Sequence, residues 1–220
     1  MKMLRFLPLV LLLALAGCSS TYYAAMEKIG VPKREILVNR VDESRQSQTK
    51  AKEQFASALE HFLAVTKVDG GDLQKKYEEL NSELEKSEAR AKEVHARIAS
   101  VEDVARALFS EWKTELGQYS NASLRRESQR EFDNTRRRYD TLMRLLHRSA
   151  ARMDPVLASF RDQVLFLKHN LNARALASLD TTSRELDTDV SRLIADMEAA
   201  IRESENFVKD LAPPTAMAPQ

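Results

Sequence analysis

The chemistry open to this 220-residue chain narrows to one thiol and one row of guanidinium groups. Cys18 is the only cysteine, and it follows Leu15-Ala16-Gly17 directly. A lone cysteine is usually a small buried hydrophobe, but this one sits directly behind an apolar leader. The four histidines, His61, His95, His147 and His169, have no second His or Cys at metal-ligand spacing, and no His-Glu-x-x-His occurs. Gly70-Gly71 is not followed by the Lys-Ser/Thr of a phosphate loop. Carboxylates are many but spread as helix surface charge, and no general acid and base stand out as a pair. The expectation is a non-enzyme with no metal, no cofactor and no small-molecule substrate.

Guanidinium groups are concentrated instead. Residues 125–152 hold nine arginines and four acids, whereas residues 180–210 hold nine acids and four basic residues. Two oppositely charged helices lying side by side would account for this, each exposed pair adding at most ~1 kcal/mol. A sharper reading singles out Arg130, Arg137 and Arg144. They fall seven apart, on the face opposite the apolar seam of their helix. Such a row suits lipopolysaccharide phosphates, anionic lipid headgroups or an acidic partner protein. Nucleic acid is not expected, because no aromatic residues interleave with the row as in single-strand binders.

The thiol is set by what precedes it. Lys2 and Arg5 make a basic start, and Phe6 to Ala16 is an apolar run ending in small residues. This is the pattern of a secretory signal peptide, and the run is shorter than the ~20 residues that span a bilayer. Leu15-Ala16-Gly17-Cys18 also matches the lipobox of bacterial lipoproteins, in which the cysteine takes a diacylglycerol before cleavage ahead of it. Residues 1–17 are therefore expected to be removed and Cys18 lipidated, with residues 18–32 as a lipidated tether. Two or three acyl chains hold a protein to a membrane effectively for good. Ser19 rather than Asp at the second mature position resembles lipoproteins sent to the outer membrane, so the expected address is its periplasmic face.

Cleavage would remove Lys2 and Arg5 from the 34 basic residues, leaving 32 against 33 acids. A net charge near −1 gives no reason to expect a polyanionic partner for the chain as a whole. Charged residues make up 30%, aromatics 6%, and there are only five glycines, a composition typical of long helices and coiled coils.

The elements follow from periodicity. Leu37, Val41, Ser44, Gln48, Ala51, Phe55, Ala58 and Phe62 recur at steps of four and three in a helix starting near Lys33. Asp69-Gly70-Gly71-Asp72 breaks the chain, with Asp72 placed to cap the next helix. Leu73, Tyr77, Leu80, Leu84, Ser87, Ala91, Val94, Ile98, Val101, Ala105, Leu108 and Trp112 then hold an a/d seam over five heptads. Ser100 with Asp103 resembles a capping box, but the seam passes through it in register. Gly117 to Ser123 is the next turn, capped by Asn121 or Ser123. The third helix carries Phe132, Thr135, Tyr139, Leu142, Leu146, Ser149, Met153, Val156, Phe160, Gln163 and Leu167, with Pro155 inside it. That register favours a kink at Pro155 over a break. After a corner at Asn170-Leu171-Asn172, a last helix carries Leu176, Leu179, Ser183, Leu186, Val190, Leu193, Met197, Ile201, Ser204, Val208 and Leu211. Residues 212–220 read as a disordered tail.

The expected fold is all-α: an elongated antiparallel bundle or coiled coil of four long helices over residues 33–211, one kinked or broken at Pro155. The first and last are shorter and are expected along one half of the central hairpin. Val164-Leu165-Phe166-Leu167 cannot all face one seam, so part of it is either buried by several neighbours or a partner surface.

Tyr22-Tyr23, Glu27-Lys28-Ile29-Gly30, Lys33-Arg34, Tyr119 to Arg126, Met153 to Leu157 and Phe160 to Ala173 resemble a lipoprotein family of Gram-negative bacteria, known only as domain of unknown function 2959. The resemblance spans nearly all of the mature chain. It implies a secreted, lipid-anchored helical protein and supplies no activity or site residues. The expected function is a periplasmic scaffold or interaction protein of the cell envelope, held to the membrane through Cys18 and binding an envelope protein or a second copy of itself. The alternative is a membrane-shaping or anionic-membrane-binding module that uses the arginine row.

Overall fold

The computed structural model describes residues 18–66, 72–170 and 173–211. The expected signal peptide, the Gly70-Gly71 breaker, Leu171-Asn172 and the tail from 212 lie outside them, as do the side chains of Leu176 and Leu179. Every described element is a helix: α1 Cys18–Lys28, α2 Lys33–Thr66, α3 Leu73–Leu116, α4 Ala122–His169 and α5 Ala173–Leu211.

Local chemistry sets the ends. Asp72 accepts a hydrogen bond from the Lys75 backbone N–H at 3.1 Å, capping α3. Asn121 does the same for α4, accepting from Ser123 and Leu124 at 2.8 and 3.2 Å. Between α1 and α2, Gly30 has φ +86°, the left-handed conformation that glycine adopts at no steric cost. Its N–H reaches the Glu27 carbonyl and that of Val31 reaches Met26, closing the last turn of α1. The capping-box residues Ser100 and Asp103 lie inside an unbroken α3.

The four long helices pack in the cyclic order α2, α3, α4, α5, each against the next and α5 back against α2. All neighbours are antiparallel. Along α2, Lys33, Glu43 and Gln54 meet Glu111, Arg97 and Glu83 of α3. Along α5, Asp210 meets Arg138 and Asp196 meets Arg152 of α4. This corrects the expectation that the outer helices cover half of the hairpin. At ~1.5 Å per residue α2 is about 51 Å and α5 about 58 Å long, and α2 is already level with the far end of α3 at Lys33.

Inside, the seam is as the periodicity predicts. The eight seam residues of α2 from Leu37 to Phe62 are no more than 1% exposed, and the seam residues of α3 from Leu80 to Leu108 are all buried. Leu73, Tyr77, Trp112, Phe132 and Gln163, towards the ends, are only half-buried. Phe62 of α2 meets Phe160 of α4 edge to face across the bundle, ring centres 6.0 Å apart. Each helix also buries flanking positions because it has two neighbours. On α4 these are Met143, Ala150, Leu157 and Val164.

Two further expectations are revised, and the expected continuity of the helix through Pro155 holds. On α5, Ala200 and Phe207 are buried at 0% and 2%, while Ile201 and Val208 are half-buried. The true seam after Met197 keeps a regular three-four step through a small alanine, whereas following the larger side chains inserts an extra step of four. The chain runs helically through Pro155 with no break. Pro155 and Ala151 are both exposed, so the carbonyl that loses its partner opens to solvent. The short helix that the sequence allows at Thr21 to Ile29 within the expected tether is present as α1, but it is docked on the bundle rather than free: Tyr23 is 6% exposed and its hydroxyl donates to Asp103 of α3 at 2.8 Å.

Candidate interaction surface

The seam of α4 dictates what its outer face presents. With Tyr139, Leu142 and Leu146 turned inward, the opposite heptad position holds Arg130, Arg137 and Arg144 and continues through Ala151, Ala158 and Leu165. All six are exposed. Arg137 donates to the Asn134 amide oxygen and Arg144 to Thr141 Oγ1 at 3.4 Å, both neutral partners on the same helix. Among the described residues none of the three arginines makes an ion pair with a carboxylate.

Neighbouring arginines behave differently. Arg138 pairs with Asp210, and Arg148 and Arg152 converge on Asp196, which is only 8% exposed. Arg136 lies 5.0 and 5.6 Å from the ring centres of Phe109 and Tyr139 and bonds Asp140. The pairing of oppositely charged helices therefore holds for Arg138, Arg148 and Arg152, and the row of Arg130, Arg137 and Arg144 is exposed as its register predicts. Three arginines stitch α4 to the acidic α5, and a separate row faces solvent. The split follows from register: positions beside the seam meet α5, and the position opposite it meets nothing in the bundle.

The α3–α4 hairpin end is held by aromatic contacts. Trp112 and Phe109 each meet Phe132 edge to face at 5.6 and 5.7 Å, and Trp112 Nε1 donates to Ser128 at 2.9 Å. Beyond them Tyr119 and Leu124 are exposed beside a shallow hollow lined by Ala122, Arg125, Arg126, Gln129 and Arg130. At the other end of α4, Val164 and Leu167 are buried while Leu165 and Phe166 remain 46% and 40% exposed.

Cys18 is the first residue of α1. The docking of α1, which sequence reasoning did not find, centres on Lys33. Its ammonium bonds both Glu27 and Glu111, the latter at 2.9 Å. Burial lowers the Lys33 pKa, but the two carboxylates outweigh it and hold the group above its ordinary value. Burial, then the bond to Asp103, push the Tyr23 phenol up to about 12. The available signal was Tyr23 and Met26 three apart, one face of a short helix.

The four histidines are exposed, with His147 bonded to Glu102 at 2.8 Å and His95 near Asp154 at 3.8 Å. Among the described residues no three His, Cys, Asp or Glu side chains cluster as metal ligands, and no helix is long and apolar enough to cross a membrane.

No curated protein matches the chain. A family profile matches residues 22–211, from within α1 to the end of α5. The chain belongs to the family described as protein of unknown function, domain of unknown function 2959.

Proposed function

We propose that this chain is a lipid-anchored scaffold of the bacterial envelope, joined to the outer membrane at Cys18 on the periplasmic side. It would bind an envelope protein, or a second copy of itself, through its bundle surface and would have no catalytic activity. The observation that carries the reading is the division among the arginines of α4. Arg138, Arg148 and Arg152 are used within the bundle, whereas Arg130, Arg137 and Arg144 form a row without a carboxylate partner among the described residues. An exposed cationic row on a rigid helix suits recognition of an anionic surface. The lipobox at Leu15 to Cys18 supports the anchor. A second reading, binding of anionic membrane through the same row, is favoured by the same exposure.

Affinity purification of the native lipoprotein, beside an Arg130→Gln, Arg137→Gln, Arg144→Gln variant, tests the first reading. Loss of a specific acidic envelope partner in the variant supports it; an unchanged partner set argues against the row. Salt-sensitive co-sedimentation of protein starting at Ser19 with anionic vesicles would favour the second. Cys18→Ser should leave an uncleaved or unanchored form. A variant that matures and partitions into detergent like wild type would remove the anchor.

A further inference from the structure

We propose that α1 places the lipid attachment on the flank of the bundle, so that the rod lies along the bilayer on its α2–α3 side and turns the arginine row away from it. The proposal rests on lipidation of Cys18 and specifies how that anchor orients the protein.

The geometry starts from two contacts. Tyr23 bonds Asp103, and Glu27 shares Lys33 with Glu111. Tyr23 to Glu27 therefore advances with Asp103 to Glu111, and α1 runs in the same direction as α3. Cys18 lies five residues before Tyr23, about 8 Å further back, roughly level with Ile98 of α3. From that level α3 runs back about 38 Å to Leu73 and forward about 27 Å to Leu116. The attachment thus sits near the middle of the long side. A bilayer set across the bundle axis at that point would pass through α2 and α3. While α1 stays docked, only a bilayer lying along the axis is sterically allowed.

The same contacts choose the side. α1 packs on α2 and α3. α4 lies diagonally across from α2, which it meets through the core at Phe62–Phe160 and where Gln48 donates to Ser149 at 2.8 Å. The outer row of α4 points away from that diagonal. With helix axes ~10 Å apart and α1 itself ~10 Å thick, the row stands more than about 20 Å from the covered flank. That is at least twice the Debye length of ~8 Å at physiological salt, so headgroups of the anchoring leaflet do not hold it. The surface facing the bilayer is instead the mixed one around Arg40, Glu43 and Arg97, already paired among themselves.

The test uses lipidated full-length protein in vesicles, in which acylated Cys18 leaves any introduced cysteine as the one reactive thiol. A fluorophore is placed at Lys50→Cys or Ala89→Cys on the α2–α3 flank, or at Ala151→Cys or Ala158→Cys in the α4 row; all four positions are exposed. The probe is a lipid carrying a nitroxide on its headgroup, in neutral and in anionic vesicles. Quenching should be several-fold stronger at 50 and 89 than at 151 and 158, in both vesicle types. Tyr23→Ala, which frees α1, should abolish the difference while helix content stays unchanged. Equal quenching at all four positions, or stronger quenching at 151 and 158 in anionic vesicles, overturns the orientation. Protein that fails to float with the vesicles overturns the lipid anchor itself, and the orientation with it.

Discussion

Gln48→Met should leave the protein as stable as before or make it more so, although it removes a buried hydrogen bond. Gln48 is fully buried on α2, with Ser44 one turn before it, also fully buried. Its amide N–H donates to Ser149 Oγ at 2.8 Å, and Ser149 in turn donates to the Leu146 carbonyl at 2.9 Å. Among the described residues, Gln48 Oε1 and Ser44 Oγ have no hydrogen-bond partner. Replacing the amide with an isosteric thioether loses one bond, a net ~1 kcal/mol, and relieves an unpaired buried carbonyl that costs about 1–3 kcal/mol. Ser149 keeps its bond to Leu146, so no new orphan is made. The expected net change is a stabilisation of about 1 kcal/mol, a rise in Tm of about 2–4 °C for a chain of this size. Ser149→Ala works the other way: it deprives the Gln48 amide of its one acceptor and should destabilise by about 1–3 kcal/mol. Urea unfolding followed by circular dichroism measures both, and the double variant should resemble Gln48→Met alone. If Gln48→Met destabilises by more than about 1 kcal/mol while Ser149→Ala is neutral, the accounting of partners in this layer is wrong.

On α5, Phe207→Ala should cost about 3–5 kcal/mol, and Val208→Ala about 1 kcal/mol; the reverse order in urea midpoints would reject the register through Ala200 and Phe207. Changing Arg130, Arg137 and Arg144 together to Gln should alter stability by less than about 1 kcal/mol, because exposed charges without partners contribute little; a larger loss in urea unfolding would mean that they are paired. Tyr23 and Tyr139 both rise to about 12, through burial first and then the Asp103 and Glu102 carboxylates respectively. Their folded pKa exceeds the unfolded value of ~10, so they contribute stability that is complete below pH ~10 and lost as pH climbs towards about 12. Following tyrosinate absorbance, Tyr23→Phe should remove one tyrosine from the late-titrating phase; an unchanged late phase would contradict its burial.

What was legible in the chain was whatever obeys a period. The a/d positions of α2 and α3 and the outward position of Arg130, Arg137 and Arg144 follow from one repeating spacing, and the cap at Asp72 from its residue type at the break before α3. Exposure of the row was readable because it needs only the register of its own helix. The pairing of Arg148 and Arg152 with Asp196 was not, since it depends on how α5 is phased against α4. That phase was misread at Ile201, where a large side chain beside the seam outweighed Ala200 within it. The docking of α1 was hidden for a related reason. It rests on Tyr23, Met26 and one buried lysine, too few residues to establish a period.

The two readings of the arginine row differ in what must stand before it. A module that grips the membrane holding its own anchor needs cations and acyl chains on one side of the rod. Here the helix that begins at Cys18 lies against α2 and α3, and the row belongs to the helix diagonally across. Undocking α1 would have to break the Tyr23–Asp103 bond and strip Lys33 of a carboxylate while it stays largely buried, a cost of several kcal/mol. Unless that cost is met, a rod held by the proposed anchor would turn its row away from the membrane. The proposed partner there would be acidic, and it would meet one continuous helix: α4 runs on through Pro155, and Ala151 and Ala158 extend the row as small positions. On the proposed reading, an acidic helix of a partner protein would lie along α4 as α5 already does on its neighbouring side. That is why the scaffold reading comes first and membrane shaping second.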